Sequence, residues 1–316
     1  MVYVALQVLL CRVYPGQGAQ KINMLHDLPK HALVNQYLEQ ASDVLKENVM
    51  LLDQGDALKS TYAVQLCLYI AGVISSALLR EQGLQPKYVA GLSIGAWAAA
   101  TVANVIHFED GLTLVAKRAE LMQQAYPNGY GMTAIIGADR FQVESWIAKV
   151  ASDSQKVFIA NLNAENQVVI SGSFDAMQRV AKYANESGAI SKKIEISVPS
   201  HCMLLEKQAQ QLACLVKGLN SQQPTIQYLS GTSARLLRTN TQIVDDIVFN
   251  MSRTVDWQST VQVAWERGVR LQIEALPGTV LTGLARKVFK EGTVLSFQNT
   301  QLESLIIAMQ KEEDFV

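Results

Sequence analysis

The sequence predicts an α/β protein built on a parallel sheet, with a second and smaller α/β unit inserted into it. Three observations carry that prediction. Short strand-like runs alternate with helical patterns from the N-terminus onward. Near residue 130 the order changes to strand-helix-strand-strand-helix-strand. The composition, 49% hydrophobic and only 17% charged over 316 residues, suits a chain with ample core and excludes a disordered one.

Residues 2–14 read as the first strand, and 33–47 and 63–80 as helices. A short strand at 88–92 feeds a run of small residues at 95–103, suited to a closely packed helix. Residues 110–125 form a further helix, ended by Pro127, Asn128 and Gly129. Strand 131–136, helix 141–150, strands 157–161 and 167–171, helix 174–187 and strand 190–197 then follow, with a hairpin turn at 163–166. This is the ferredoxin-like split unit, so 128–198 is read as a small domain inserted into a core made of 1–127 and 199–316. After it come a helix at 203–219, a mixed region, a helix near 259–267, the strand 270–274 and a helix from Val280. The last charged residues, 311–314, read as a solvated tail.

Charge excludes some partners. Lys plus Arg number 27 against 28 Asp plus Glu, a net charge of −1 that offers no basic field to nucleic acid. The apolar stretch at 62–79 is broken by Gln, Gly and Ser and reads as buried helix, not a membrane span. Residues 1–10 are apolar but lack a basic flank and a cleavage site, so a buried strand is expected there. Cys11, Cys67, Cys202 and Cys214 show neither paired nor metal spacing, which points to free thiols, a cytoplasmic location and no metal.

Four segments can carry chemistry. Gly91-Leu92-Ser93-Ile94-Gly95 matches the G-x-S-x-G elbow, in which a strand turns so sharply into a helix that side chains flanking the serine must be almost absent. The Ser93 hydroxyl would then stand exposed at a helix N-terminus, where free N–H groups favour developing negative charge. Among four histidines, His26, His31 and His107 read as surface or capping residues, whereas His201 follows Pro199-Ser200 where the insert returns to the core. Arg118 shares a helix face with Leu114, Val115, Leu121 and Met122. There it is either an internal salt bridge, a snorkelling side chain or a fork for a substrate carboxylate. Tyr14-Pro15-Gly16-Gln17-Gly18 supplies a loop that approaches a ligand closely, without the Lys of a phosphate loop, and its N–H groups complete an oxyanion hole with that of Ile94.

Taken together, these segments resemble the malonyl-CoA:acyl carrier protein transacylase family. The resemblance rests on Pro-Gly-Gln-Gly-Ala-Gln at 15–20, Gly-Leu-Ser-Ile-Gly at 91–95 and Lys-Arg-Ala-Glu-Leu-Met at 117–122. It also rests on Gln-Val-Val-Ile-Ser-Gly at 167–172, Val-Pro-Ser-His-Cys at 198–202 and Leu-Pro-Gly-Thr-Val-Leu-Thr-Gly-Leu at 276–284. It implies an α/β-hydrolase-like core with a ferredoxin-like insert. By matching position it implies Ser93 as nucleophile, His201 as base and Arg118 as holder of the malonyl carboxylate. Gln17 and Ile94 N–H groups form the oxyanion hole, Gln65 lines the pocket beside the arginine, and the main-chain carbonyl of Asn250 orients the histidine. Malonyl-CoA is then the substrate, an acyl carrier protein the partner, and no cofactor is held permanently.

One departure stands out. Leu92 and Ala96 replace the His and Glu that fatty-acid-synthesis members usually carry around the serine. With Ala-Tyr-Pro-Asn-Gly-Tyr-Gly-Met at 125–132, the chain looks more like the epsilon subunit of malonate decarboxylase, which would add that enzyme's other subunits as partners. The alternatives are a malonyl transacylase of fatty-acid or polyketide synthesis, a serine esterase or thioesterase, and a non-catalytic subunit that keeps the fold. Arg286, Lys287 and Lys290 are candidates for a patch facing an acidic carrier, or an ordinary solvated helix face.

Overall fold

The structure is a computed structural model, and it describes residues 9–126, 128–150, 152 and 156–314. In chain order its elements are β1 (Leu9–Tyr14), α1 (Ala32–Leu45), α2 (Thr61–Glu81), β2 (Tyr88–Gly91), α3 (Gly95–Val102) and α4 (Phe108–Ala125). Next come β3 (Tyr130–Ile136), α5 (Arg140–Val150), β4 (Val157–Ala164), β5 (Gln167–Ser173), α6 (Phe174–Glu186) and β6 (Ile190–Ile194). The chain continues through α7 (Glu206–Leu215), β7 (Gln227–Leu229), β8 (Leu236–Leu237), α8 (Asn240–Phe249), β9 (Val255–Asp256) and α9 (Trp257–Glu266). It closes with β10 (Val269–Glu274), α10 (Val280–Ala285), β11 (Thr293–Ser296) and α11 (Leu302–Asp314).

Two sheets organise these elements. The larger runs β11-β10-β1-β2-β7-β8, parallel throughout except for the antiparallel edge pair β7–β8. Both faces are covered, as a parallel sheet requires. Leu10, Tyr14, Val89, Leu271 and Ile273 share one core with α2, α3 and α4. Cys11, Val13, Ala90 and Leu229 point the other way, toward Trp257 and Val261 of α9 and Leu281 and Leu284 of α10. The period-2 alternation of β1 thus serves two cores at once.

The smaller sheet runs β6-β3-β5-β4-β9. Its first four strands come from one strand-helix-strand-strand-helix-strand segment and pair antiparallel, with α5 and α6 packed on one face around Ile135, Trp146, Ile170 and Val180. The fifth strand does not belong to that segment. β9 arrives from the far end of the chain and lies parallel to β4, Asn161 opposite Val255.

Several expectations need correcting. The predicted helix at 203–219 is a 3-10 turn at Met203–Leu205, the helix α7 and a second 3-10 turn at Val216–Gly218. The charged residues 311–314 continue α11 instead of forming a tail. The mixed region contains α8, whose start carries a capping box: Thr239 Oγ1 accepts from the Gln242 N–H, and Gln242 Oε1 accepts from the Thr239 N–H. Residues 2–8 of the expected first strand, and Pro127, lie outside the described residues. Among the described residues α2 alone is long and apolar enough to cross a membrane, and 94% of its apolar window is buried inside the protein.

Candidate active site

The site forms where β1 and β2 end side by side, Tyr14 opposite Gly91. A Cβ on Gly91 would sit 2.1 Å from the Gly95 carbonyl carbon, and one on Gly95 would sit 2.2 Å from the Tyr14 carbonyl oxygen. Only glycine allows α3 to start so close to the strand it leaves. Ser93, at the apex, adopts φ +57°, a left-handed conformation that costs a non-glycine residue about 1–3 kcal/mol. The hydroxyl is far less open than the sequence suggested, since Ser93 is only 8% exposed. A Cβ on Gly16 would fall 3.4 Å from Ser93 Cβ, so the loop after β1 lies against the serine. Among the described residues, the backbone N–H groups of Gln17 and Ile94 have no protein acceptor.

His201 arrives from the loop after β6, also at positive φ, +63°, with its N–H bonded to the Met251 carbonyl at 2.7 Å. Its Nδ1 lies 2.6 Å from the Asn250 carbonyl oxygen. A carbonyl only accepts, so Nδ1 carries the proton and Nε2 is left with a free lone pair. Burial is the main cause that lowers this histidine from 6.5 to about 4, and the nearby Arg118 charge pushes the same way. The imidazole is therefore neutral at pH 7.

Arg118 sits on the buried face of α4 and is fully enclosed. Nη1 donates to Gln65 Oε1 at 2.5 Å, and Nη2 to Asn250 Oδ1 at 3.1 Å and to Ser93 Oγ at 3.4 Å. Every one of these partners is neutral, and Nε has none. Burial without an anion lowers the guanidinium to about 9. Gln65 Nε2 donates onward to Gln17 Oε1 at 3.3 Å, and Asn250 Nδ2 to the Ser93 carbonyl at 3.1 Å. Gln17, Gln65, Arg118, Asn250, Ser93 and His201 thus form one hydrogen-bonded chain, with Ile94 next to Ser93 in sequence.

Comparison with known proteins follows the same outline. Residues 12–315 match the acyl transferase domain family. The malonyl CoA-acyl carrier protein transacylase of Haemophilus influenzae is 36% identical over 284 residues, 87% of this chain and 91% of that protein. Its namesake in Bacillus subtilis is 29% identical across 96% of this chain and 97% of that protein. The chain belongs to the malonyl CoA-acyl carrier protein transacylase family. Among solved structures, FabD from Acinetobacter baumannii superposes with a TM-score of 0.91 at 30% identity, covering 98% of this chain and all of that one. A malonyl-transacylase in complex with a type II PKS acyl-carrier protein gives 0.88 at 33% identity, over 96% and 99% of the two chains.

Two residues of this transacylase-family chain escaped the sequence reading. Arg12 is as buried as Arg118, but it sits in β1 and donates to the Ser76 and Leu84 carbonyls at 3.2 and 2.9 Å, pinning the end of α2. Asp246, buried in α8, accepts from Tyr228, Ser230 and Thr232 at 2.8, 2.6 and 2.6 Å. It ties α8 to the end of β7 and so sets Asn250 one turn later, whose N–H bonds the Asp246 carbonyl at 2.9 Å. The visible signal was an acid spaced three after Ile243 on an apolar face.

The remaining histidines and basic residues sit away from this chain of bonds. His31 accepts from the Leu33 N–H to cap α1, and His26 lies 2.9 Å from buried Asp53. Arg286 reaches the Val294 carbonyl in the first half of β11, and Lys290 stacks over Trp265, which precedes β10. Neither contact involves Ser93, His201 or Arg118. A cavity of about 550 Å³ opens beside Cys202 and Met203, between α5, β4 and β9, but neither Ser93 nor Arg118 lines it. Among the described residues no group of three His, Cys, Asp or Glu is placed to hold a metal.

Proposed function

We propose that this protein moves a malonyl group from malonyl-CoA to the prosthetic thiol of an acyl carrier protein, through a malonyl ester on Ser93. The observation that carries the reading is the enclosed Arg118 guanidinium, without an anionic partner, 3.4 Å from the Ser93 hydroxyl. A buried cation of that kind is complementary to a carboxylate on the acyl group, and an esterase acting on neutral acyl chains has no use for it.

His201 Nε2 takes the Ser93 proton as Oγ attacks the thioester carbonyl. The oxyanion is held by the Gln17 and Ile94 N–H groups. As the carbon–sulfur bond breaks, the CoA sulfur takes the proton back from His201. The carrier thiol then gives its proton to His201 and attacks the ester, and Ser93 Oγ leaves with that proton. The Asn250 carbonyl holds the histidine in the required tautomer, which removes the need for a carboxylate as third member.

The strand order β6-β3-β5-β4 supports a ferredoxin-like insert at 128–198, and the elbow on a parallel sheet supports an α/β-hydrolase-like core of 1–127 and 199–316. Three buried free thiols support a reducing, cytoplasmic setting. Leu92 and Ala96, which stand where fatty-acid-synthesis members usually carry His and Glu, support the carrier of a malonate decarboxylase, and a carrier of fatty-acid or polyketide synthesis fits the same site equally well. Incubation with malonyl-CoA and rapid quench leaves one malonyl group on Ser93 by intact mass. Arg118→Ala abolishes malonyl but comparatively spares acetyl transfer. Equal loss of both acyl groups, or an unchanged mass, defeats the reading. Presenting a fatty-acid carrier and a decarboxylase-type carrier side by side identifies the acceptor.

A further inference from the structure

The Asn250 side chain makes contacts that its backbone role does not require. Only its main-chain carbonyl meets His201. Its carboxamide, 2% exposed with the rest of the residue, instead spans from the Ser93 carbonyl to Arg118 Nη2, both at 3.1 Å. An aspartate fills the same volume and is the ordinary companion of an enclosed guanidinium. Here the acceptors offered to Arg118 are the Gln65 and Asn250 amides and the Ser93 hydroxyl, and Nε has none. A carboxylate in either amide position would neutralise the guanidinium and compete with an incoming anion.

We propose that the Asn250 carboxamide is a positioning and selectivity residue: it aims the Arg118 guanidinium at the Ser93 hydroxyl while leaving its charge uncompensated for the carboxylate of the acyl group. The inference rests on the malonyl-transfer reading above. The same amide donates to the Ser93 carbonyl, so the aim of the cation is referred to the nucleophile's own backbone. Arg118 is the charged group that acts on His201 through space, while Cys202, its neighbour in the chain, stays a neutral thiol. Neutralising Arg118 therefore reports at His201 as well as at the acyl group.

The test compares malonyl-CoA and acetyl-CoA as donors to Ser93 in wild type, Asn250→Asp and Asn250→Ala, by single-turnover acylation read as intact mass across pH. Asn250→Asp lowers the malonyl-to-acetyl preference by about tenfold or more, chiefly through a weaker malonyl KM, and moves the acid limb of acylation upward. Asn250→Ala slows both donors and leaves that limb in place. Asn250→Asp slowing both donors equally, with an unmoved limb, makes the amide a structural pin only and overturns the proposal. Gln65→Glu sets a carboxylate on the other nitrogen and carries the same expectation, and it stands in if Asn250→Asp does not fold. Wild type alone gives a third reading by NMR of labelled histidine. A malonyl group on Ser93 raises the His201 midpoint relative to an acetyl group, and no difference overturns the proposal. Failure of wild type to take malonyl onto Ser93 instead overturns the underlying function, before any variant is compared.

Discussion

Lowering the pH from 7 toward 4 titrates the base of the proposed mechanism, and the same titration enters stability. His201 titrates at about 4 when folded and at 6.5 when exposed, with burial the larger cause and Arg118 the second. Between those values the unfolded chain binds a proton that the folded chain refuses, so stability falls as pH falls across that window and is independent of this group above 6.5. At about 1.4 kcal/mol per tenfold, the whole window is worth roughly 3 kcal/mol, a large share of the ~5–15 kcal/mol that holds a protein folded. Activity follows the same logic. At about pH 5.5 an ordinary histidine would be roughly nine-tenths protonated and useless as a base, whereas His201 stays almost wholly neutral. Single-turnover malonylation of Ser93 between pH 4 and 8 gives an acid limb centred near 4, and urea melts give a steeper pH dependence for wild type than for His201→Ala. Arg118→Ala, read with acetyl-CoA as the donor it spares, raises the limb but stops short of 6.5, because burial persists. A limb centred near 6.5, or melts with the same pH dependence in wild type and His201→Ala, refutes the reasoning.

Two further outcomes separate scaffold from site. Gly95→Ala drives a Cβ to within 2.2 Å of the Tyr14 carbonyl oxygen and 2.8 Å of that of Pro15, both backbone atoms that cannot yield. A loss of more than about 4 kcal/mol in a urea melt, or insoluble protein, is expected, and a midpoint equal to wild type contradicts the close approach of strand and helix. Arg12→Met leaves the Leu84 carbonyl without its donor, removes the second donor to the Ser76 carbonyl and destabilises the chain by about 2–4 kcal/mol, while the malonyl-to-acetyl ratio stays at the wild-type value. A shift in that ratio would mean that the two buried arginines are not separable in role.

Local pattern reached far into this molecule. The alternation of strands and helices, the antiparallel run between β3 and β6, and the glycines of the elbow are all short-range signals, written in side-chain period and in residues small enough for a tight turn. What was misread had no such signal or a diluted one. The helix α8 starts in a polar stretch where its Thr239–Gln242 capping box is one short signal among ordinary surface residues, and β7, β8 and β9 are too short to show a period. Arg12 sits in a strand otherwise apolar on the same face, yet its meaning depends on two carbonyls 64 and 72 residues away.

The sequence by itself determined the elbow, singled out the histidine proposed as its base, and marked an arginine on a face where a solvated charge does not belong. Each of these is a local conflict between residue type and position. Only the tertiary structure decided that Arg118 has amides and a hydroxyl for neighbours instead of a carboxylate, that His201 is buried and held by a main-chain carbonyl, and that Asn250 joins the two. The physical reason is separation along the chain: Gln65, Ser93, Arg118, His201 and Asn250 meet through contacts that span from 25 to 157 residues, and nothing local to any one of them specifies the charge of the others.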